Sequence, residues 1–287
     1  MTARRRIACS DPPDVRRIAG QSLAEAIALL EAQPLSDRAV HAVRKDLKRA
    51  RAMLRMMRAG LGKEDYRHDN AALRNAAHGL SAARDSKVLL DTLAGLPRRG
   101  GGSALQARLR REHAHSRGEL RGDGSAVKHA SRSLRTVRRR LAKEPADRYG
   151  WPVVERGVRR VYARARATLE CLQAHPVPES LHELRKQTKY LWHQLEALAT
   201  ARARGLGALA AATHHLSDLL GDDHNLTVLR DKVANTPMSP GARKRLLARI
   251  DARHDRLVAK ALRLARRIYR EPPTAFAARV GRRAVRS

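Results

Sequence analysis

Six basic side chains, His41, Arg44, Lys45, Lys48, Arg51 and Arg55, fall at spacings that a helix gathers on one side. At about 100° per residue they share an arc of about 120°. Val40, Val43, Leu47, Ala50, Leu54 and Met57 take the opposite side, with Asp46 and Arg49 on the flanks. Such an arc can hold phosphate oxygens. Arginine offers a planar fork of donors and lysine a point charge. A histidine with a reference pKa of about 6.5 gains a proton readily beside them. A second set repeats the pattern: His182, Arg185, Lys186, Lys189 and His193 share one arc. Leu181, Leu184, Thr188, Leu191, Leu195 and Leu198 share the other, with Trp192 at its edge.

A run of charge on one helix is most often a solvated face. Two features argue against that here. Solvated helices intersperse acids four residues away for pairing, and the first arc holds none. Five or six like charges within about four turns repel one another, so two such arcs imply a compensating anion.

The elements that must carry these arcs are helices. No stretch alternates with period two, and breakers separate the periodic segments. They lie at Pro34, Gly60 and Gly62, Pro97 to Gly102, Gly122 and Gly124, Pro145, Gly150 and Pro152, Pro176 and Pro178, Gly205 and Gly207, Gly221, Pro237 and Pro240, and Pro272-Pro273. The intervening segments are roughly 12 to 25 residues long, an ordinary length for bundle helices.

The two arcs also belong to a longer repeat. Val15-Arg-Arg-Ile18 leads to Pro34 as Val158-Arg-Arg-Val161 leads to Pro176. His41-Ala-Val-Arg-Lys-Asp-Leu-Lys48 matches His182-Glu-Leu-Arg-Lys-Gln-Thr-Lys189. Leu80-Ser-Ala-Ala-Arg-Asp-Ser-Lys-Val-Leu89 matches Leu220-Gly-Asp-Asp-His-Asn-Leu-Thr-Val-Leu229. Three matches in one order and register mark a tandem duplication, with a seam near Arg148 to Trp151. The expected organisation is a first half over 12–147, a second over 151–271 and a basic tail over 272–287.

Composition narrows the anion. The chain has 287 residues, 43% of them apolar, and a net charge of +32. The apolar share suffices for a core, so the charge is not that of a disordered tail. An excess this large calls for an external polyanion: nucleic acid, an anionic membrane or polyphosphate. Aromatics make up only 3%, too few for a base-stacking platform. No apolar run approaches the ~18 residues that span a bilayer. The N-terminus shows no secretory pattern, so a cytoplasmic location and no membrane partner are expected. Two cysteines without a CxxC spacing give neither a zinc knuckle nor a redox pair.

The paired His-x-x-Arg-Lys-x-x-Lys helices, each followed by Leu-x-x-x-(Arg/His)-(Asp/Asn)-x-x-Val-Leu, strongly resemble the CHAD family (conserved histidine α-helical domain) over about residues 12 to 270. The resemblance implies an all-α fold of two four-helix-bundle halves related by a pseudo-two-fold. It also implies a basic cleft between them that binds inorganic polyphosphate. Polyphosphate granules are then an expected location. The basic positions it implies are His41, Arg44, Lys45, Lys48 and Arg51, and His182, Arg185, Lys186 and Lys189. The sequence departs from the pattern in the second copy, where Trp192 and Glu196 stand in place of Arg51 and Arg55. Non-specific nucleic-acid binding is the competing reading; no base-reading motif supports it. An enzyme acting on phosphate esters is the third reading; no clustered acids are present to hold a catalytic Mg2+, so neither catalysis nor a cofactor or metal is expected.

Other residues carry two readings each. Arg84 and His224 hold equivalent places in the second motif and either reach the ligand or cap their helix. His214-His215 lacks partners at a zinc spacing. His68-Asp69 and His254-Asp255 are too little for a metal phosphohydrolase. Cys171, in an apolar stretch, is expected in the core, and Arg279 to Arg286 are expected to fray.

Overall fold

The structure, a computed structural model, describes residues 12–32, 35–97, 102–122, 124–174, 178–199 and 205–285. Among these the regular elements are eleven α-helices and a short 3-10 turn, without strands. Pro34, Pro176 and Cys9 lie outside the described residues. The first half contributes α1 (Val15–Glu31), α2 (Asp37–Leu61), α3 (Lys63–Gly79), α4 (Ser81–Ala94), α5 (Ser103–Gly122) and α6 (Ser125–Lys143). The second contributes α7 (Trp151–Ala174), α8 (Pro178–Leu198), α9 (Leu206–Ala234), α10 (Pro240–Ile268) and α11 (Pro273–Val285).

The starts of these helices follow from local chemistry. Asp14 caps α1 by accepting from the Arg17 backbone N–H at 2.9 Å, and Ser36 caps α2 by accepting from Ala39 at 3.1 Å. Each satisfies one of the orphan donors of a first turn. Ser239 and Pro240 open α10 in the same way, with proline where no donor is needed. Gly62, at φ 83°, reverses the chain between α2 and α3.

Pairings repeat along the chain. α1 packs on α2 as α7 packs on α8, and α2 packs on α3 as α8 packs on α9. α4 meets α5 as α9 meets α10, while α6 closes over α1 and α11 over α7. The halves share their cores. One cluster runs from Val15 on α1 through Leu47 and Met53 on α2 to Leu184 on α8 and Phe276 on α11. A second joins Leu89, Leu105 and Leu109 to Leu226, Leu229, Leu246 and Ile250, so α4 and α5 pack directly on α9 and α10. Between the halves, α2 crosses α7 so closely that a Cβ at Gly157 would overlap the Met56 backbone.

Four expectations need correction. Gly221 does not break the chain: α9 runs 29 residues through it, because burial on both sides outweighs the roughly 1 kcal/mol that an interior glycine costs a helix. Conversely, the matching stretch of the first half is split at Leu80 (φ −103°, ψ 5°) into α3 and α4. Arg279 to Val285 do not fray. They belong to α11, whose Phe276 is fully buried and stacks on Tyr162 at a centroid distance of 3.8 Å. Cys171 is exposed; Leu169 and Leu172 take the core positions beside it.

Candidate functional site

The basic faces of α2 and α8 meet in one groove of about 910 Å3. α2 supplies His41, Arg44, Lys45 and Lys48, and α8 supplies Arg185, Lys189, Trp192 and Glu196. The opposite wall comes from α4, with Arg84, Asp85 and Val88 of the second motif, and from α9, with Asp222, His224 and Asn225 of that motif and His214 and Asp218 within about two turns before it. The arcs face inward because their apolar sides are committed elsewhere. Val40, Val43, Leu47 and Ala50 of α2 are at most 1% exposed, as are Leu184, Thr188, Leu191 and Leu195 of α8.

Arg44, Lys48, Arg185 and Lys189 form the floor, while the acids, with His41 and Lys45, stand at the exposed rim. Asp85, Glu196 and Asp218 have side chains 61%, 41% and 56% exposed, whereas Arg44 is only 18% exposed. Arg44 donates to the Ala77 carbonyl at 2.9 Å near the C-terminus of α3 and reaches Asp85 at 3.4 Å. Lys48 has neither a hydrogen-bond nor a salt-bridge partner among the described residues, and Lys189 has only the Trp192 ring, 5.6 Å from its ammonium. The Arg185 Nε is buried without a partner. Burial, then the charges of Lys189, Arg44 and Arg185, push the Lys48 ammonium down to about 7. Burial, then Arg185, lowers Lys189 as well. Two lysines from the two copies of the motif therefore repel across one floor.

His41, His182 and His224 are all shifted towards their neutral forms in this field. Burial, then Arg84, Lys48, Lys189 and Lys45, lowers His41. Burial, then Arg185 and Lys186, lowers His182, and burial takes His224 down to about 4. Arg84 donates from Nε to His41 Nδ1 at 3.0 Å, so it reaches across the groove rather than capping a helix. Its equivalent His224 makes the equivalent contact: its ring lies 5.0 Å from that of His182.

Of the thirteen basic positions singled out from sequence, eight line the groove: His41, Arg44, Lys45, Lys48, Arg84, Arg185, Lys189 and His224. Arg51 and Arg55 do not. α3 packs along that end of α2, and Arg51 donates to Asn70 at 3.2 Å. Arg55 bonds Tyr66 and lies 4.0 Å above the Tyr190 ring. His193 is fully buried, stacked on Trp192 at 4.1 Å, because α8 is enclosed on all sides from Tyr190 to Leu195. Lys186 is outside the groove lining, paired with Glu183 at 2.5 Å. His182 lines an adjoining, more apolar cavity of about 500 Å3, which His224 also borders. His254 bonds Asp223 at 2.5 Å rather than its neighbour Asp255, and His68 reaches the buried Asp69 at 3.5 Å.

Sequence reasoning missed Asp218 and Asp222, and it saw Asp85 and Asn225 as the (Asp/Asn) position of the second motif without placing them in the site. A wheel of α9 places His214, Asp218, Asp222 and Asn225 within about 80° of one another, and that was the available signal. His214 belongs to this wall, with its ring 3.9 Å from that of Trp192. Among the described residues no group of three or more His, Cys, Asp or Glu is placed to hold a metal ion. No helix among them is long and apolar enough to cross a membrane.

Comparison with known proteins agrees with this architecture. No curated protein matches the chain. The crystal structure of the CHAD domain from the plant Ricinus communis superposes with a TM-score of 0.57 at 17% identity, covering 94% of this chain and 96% of that one. At that identity the match speaks for the fold. The CHAD domain family model matches residues 19–234, which include both basic arcs and both copies of the second motif. The chain therefore belongs to the CHAD family.

Proposed function

We propose that this chain is a non-catalytic binding module whose groove takes inorganic polyphosphate, the ligand that CHAD membership suggests. The observation that carries the reading is the meeting of Lys48 and Lys189 on one recessed floor, neither with an anionic partner in contact. Unpaired buried charge is costly, and an anion entering the groove relieves both the repulsion and the missing contacts. A thin, flexible chain of phosphates can reach a recessed floor past exposed rim acids, which solvent screens. The motif helices are read as related by an internal pseudo-two-fold, so that each copy grips one stretch of the chain. A place among polyphosphate granules in the cytoplasm follows from the same reading.

The test is a competition of long-chain polyphosphate against DNA and RNA at physiological salt. Polyphosphate should win. The logarithm of its affinity should fall linearly with the logarithm of salt, with a slope on the order of −4 for six contacted phosphates at about 0.7 each. Displacement of groove-bound polyphosphate by DNA or RNA at equal phosphate concentration, or an affinity that barely moves with salt, would overturn the reading.

A further inference from the structure

We propose that the outer face of α6 is a second anion surface, separate from the groove, that holds duplex DNA by its phosphate backbone. α6 carries seven Lys or Arg in nineteen residues and no acid. Lys128, Arg132, Arg135, Arg139 and Lys143 fall within an arc of about 80°, and all five are exposed. They lie opposite Val127, Ala130, Leu134, Val137 and Leu141, which are buried against α1 and α3. The row is about 22 Å long. None of its members lines the groove.

Neighbouring acids do not neutralise this row. Glu31 on α1 pairs with Arg135, and Asp65 and Asp69 on α3 are both taken by Arg140 on the flank. Lys128, Arg132, Arg139 and Lys143 have no salt-bridge partner among the described residues. A fixed row of like charge on a convex helix suits a stiff, regular polyanion, whereas the recessed groove suits a thin one. The major groove of B-form DNA, about 12 Å wide, admits a helix, while the narrow one of duplex RNA does not. A membrane surface is the poorer fit, because the exposed face has no aromatic or large apolar side chain to insert. α10 bears a shorter exposed row of four, Arg256, Lys260, Arg263 and Arg267, about 16 Å long, with Asp251 and Asp255 on its flank rather than within it. Reversing two of its arginines changes the net charge by the same amount as reversing two on α6.

The experiment measures binding of the full chain to a fluorescent duplex of about 20 bp from about 50 to 200 mM salt. Arg132→Glu/Arg139→Glu should weaken DNA binding at least tenfold and make the salt slope shallower by about two. It should leave polyphosphate binding unchanged. Arg263→Glu/Arg267→Glu should cost DNA binding less than threefold. Arg132→Gln/Arg139→Gln guards against misfolding and should show the same order of effects, with helicity intact. Equal losses in the α6 and α10 pairs would overturn the proposal in favour of diffuse attraction. So would an α6 pair that loses binding to phosphatidylserine vesicles but not to DNA. Failure of polyphosphate to bind the groove would leave these comparisons unaffected, so the two readings fail separately.

Discussion

Lys48 is the residue on which the electrostatics of the groove turn. Its ammonium is lowered to about 7 in the folded chain, against an unfolded value of about 10.4. Between those limits the folded state binds fewer protons, so the stability of the free protein should rise as pH increases from about 7 towards 10. The cost of the buried charge is fully present below about 7. Lys48→Met should flatten that slope in denaturant titrations across this range; an unchanged slope would assign it to other groups. A bound polyanion favours the charged ammonium and restores its pKa. Binding above pH 7 should therefore take up protons, and affinity should be lower at pH 9 than at pH 6.5, as calorimetry in buffers of different ionisation heat would show. The rim acids act in the opposite direction. Asp218→Asn/Asp222→Asn removes two exposed negative charges from the groove wall. Polyphosphate affinity should rise about two- to fivefold, in keeping with the small worth of exposed charge pairs. A fall in affinity would mean that these acids help to hold the ligand.

At the scale of elements, the close crossing of α2 and α7 positions the basic face of α2. Gly157→Ala would drive a methyl group into the Met56 backbone. Overpacking of this kind costs about 1 to 3 kcal/mol, read as a lowered urea midpoint, and it should weaken polyphosphate binding by shifting α2. An unchanged midpoint would mean that the crossing is loose. The helices and their apolar faces were legible from periodicity, because each arc has its own core partner. The extent of the arcs was not. Arg51 and Arg55 continue the period of Arg44 and Lys48, yet the packing of α3 along α2 turns them to Asn70 and Tyr66. His193 continues the period of Lys189, yet α8 is enclosed on all sides at that level. A pattern along one helix does not contain the packing of the next. Gly221 and the expected frayed tail failed for the same reason: tertiary burial in α9 and α11 decided both.

At the scale of the whole molecule, a net charge of +32 attracts every polyanion to some degree. The central claim is that one groove, built from both halves, accounts for polyphosphate binding beyond that background. The duplicated motif was visible in the sequence, and the shared groove follows from α2 meeting α8 while α4 meets α9. The opposing wall was hidden, since it brings together residues more than a hundred positions apart, such as Asp85 and Asp218. The most direct test compares two charge reversals of equal size. Lys48→Glu/Lys189→Glu places an acid from each copy on the groove floor, beside Arg44 and Arg185, which can pair with it and preserve the fold. Arg282→Glu/Arg283→Glu makes the same change in net charge on the exposed face of α11. Measured by competition at physiological salt, the groove pair should lose at least tenfold more polyphosphate affinity than the α11 pair, a difference of about 1.4 kcal/mol. Equal losses, with helicity intact in both, would contradict the account and show that the chain binds polyanions over its whole surface.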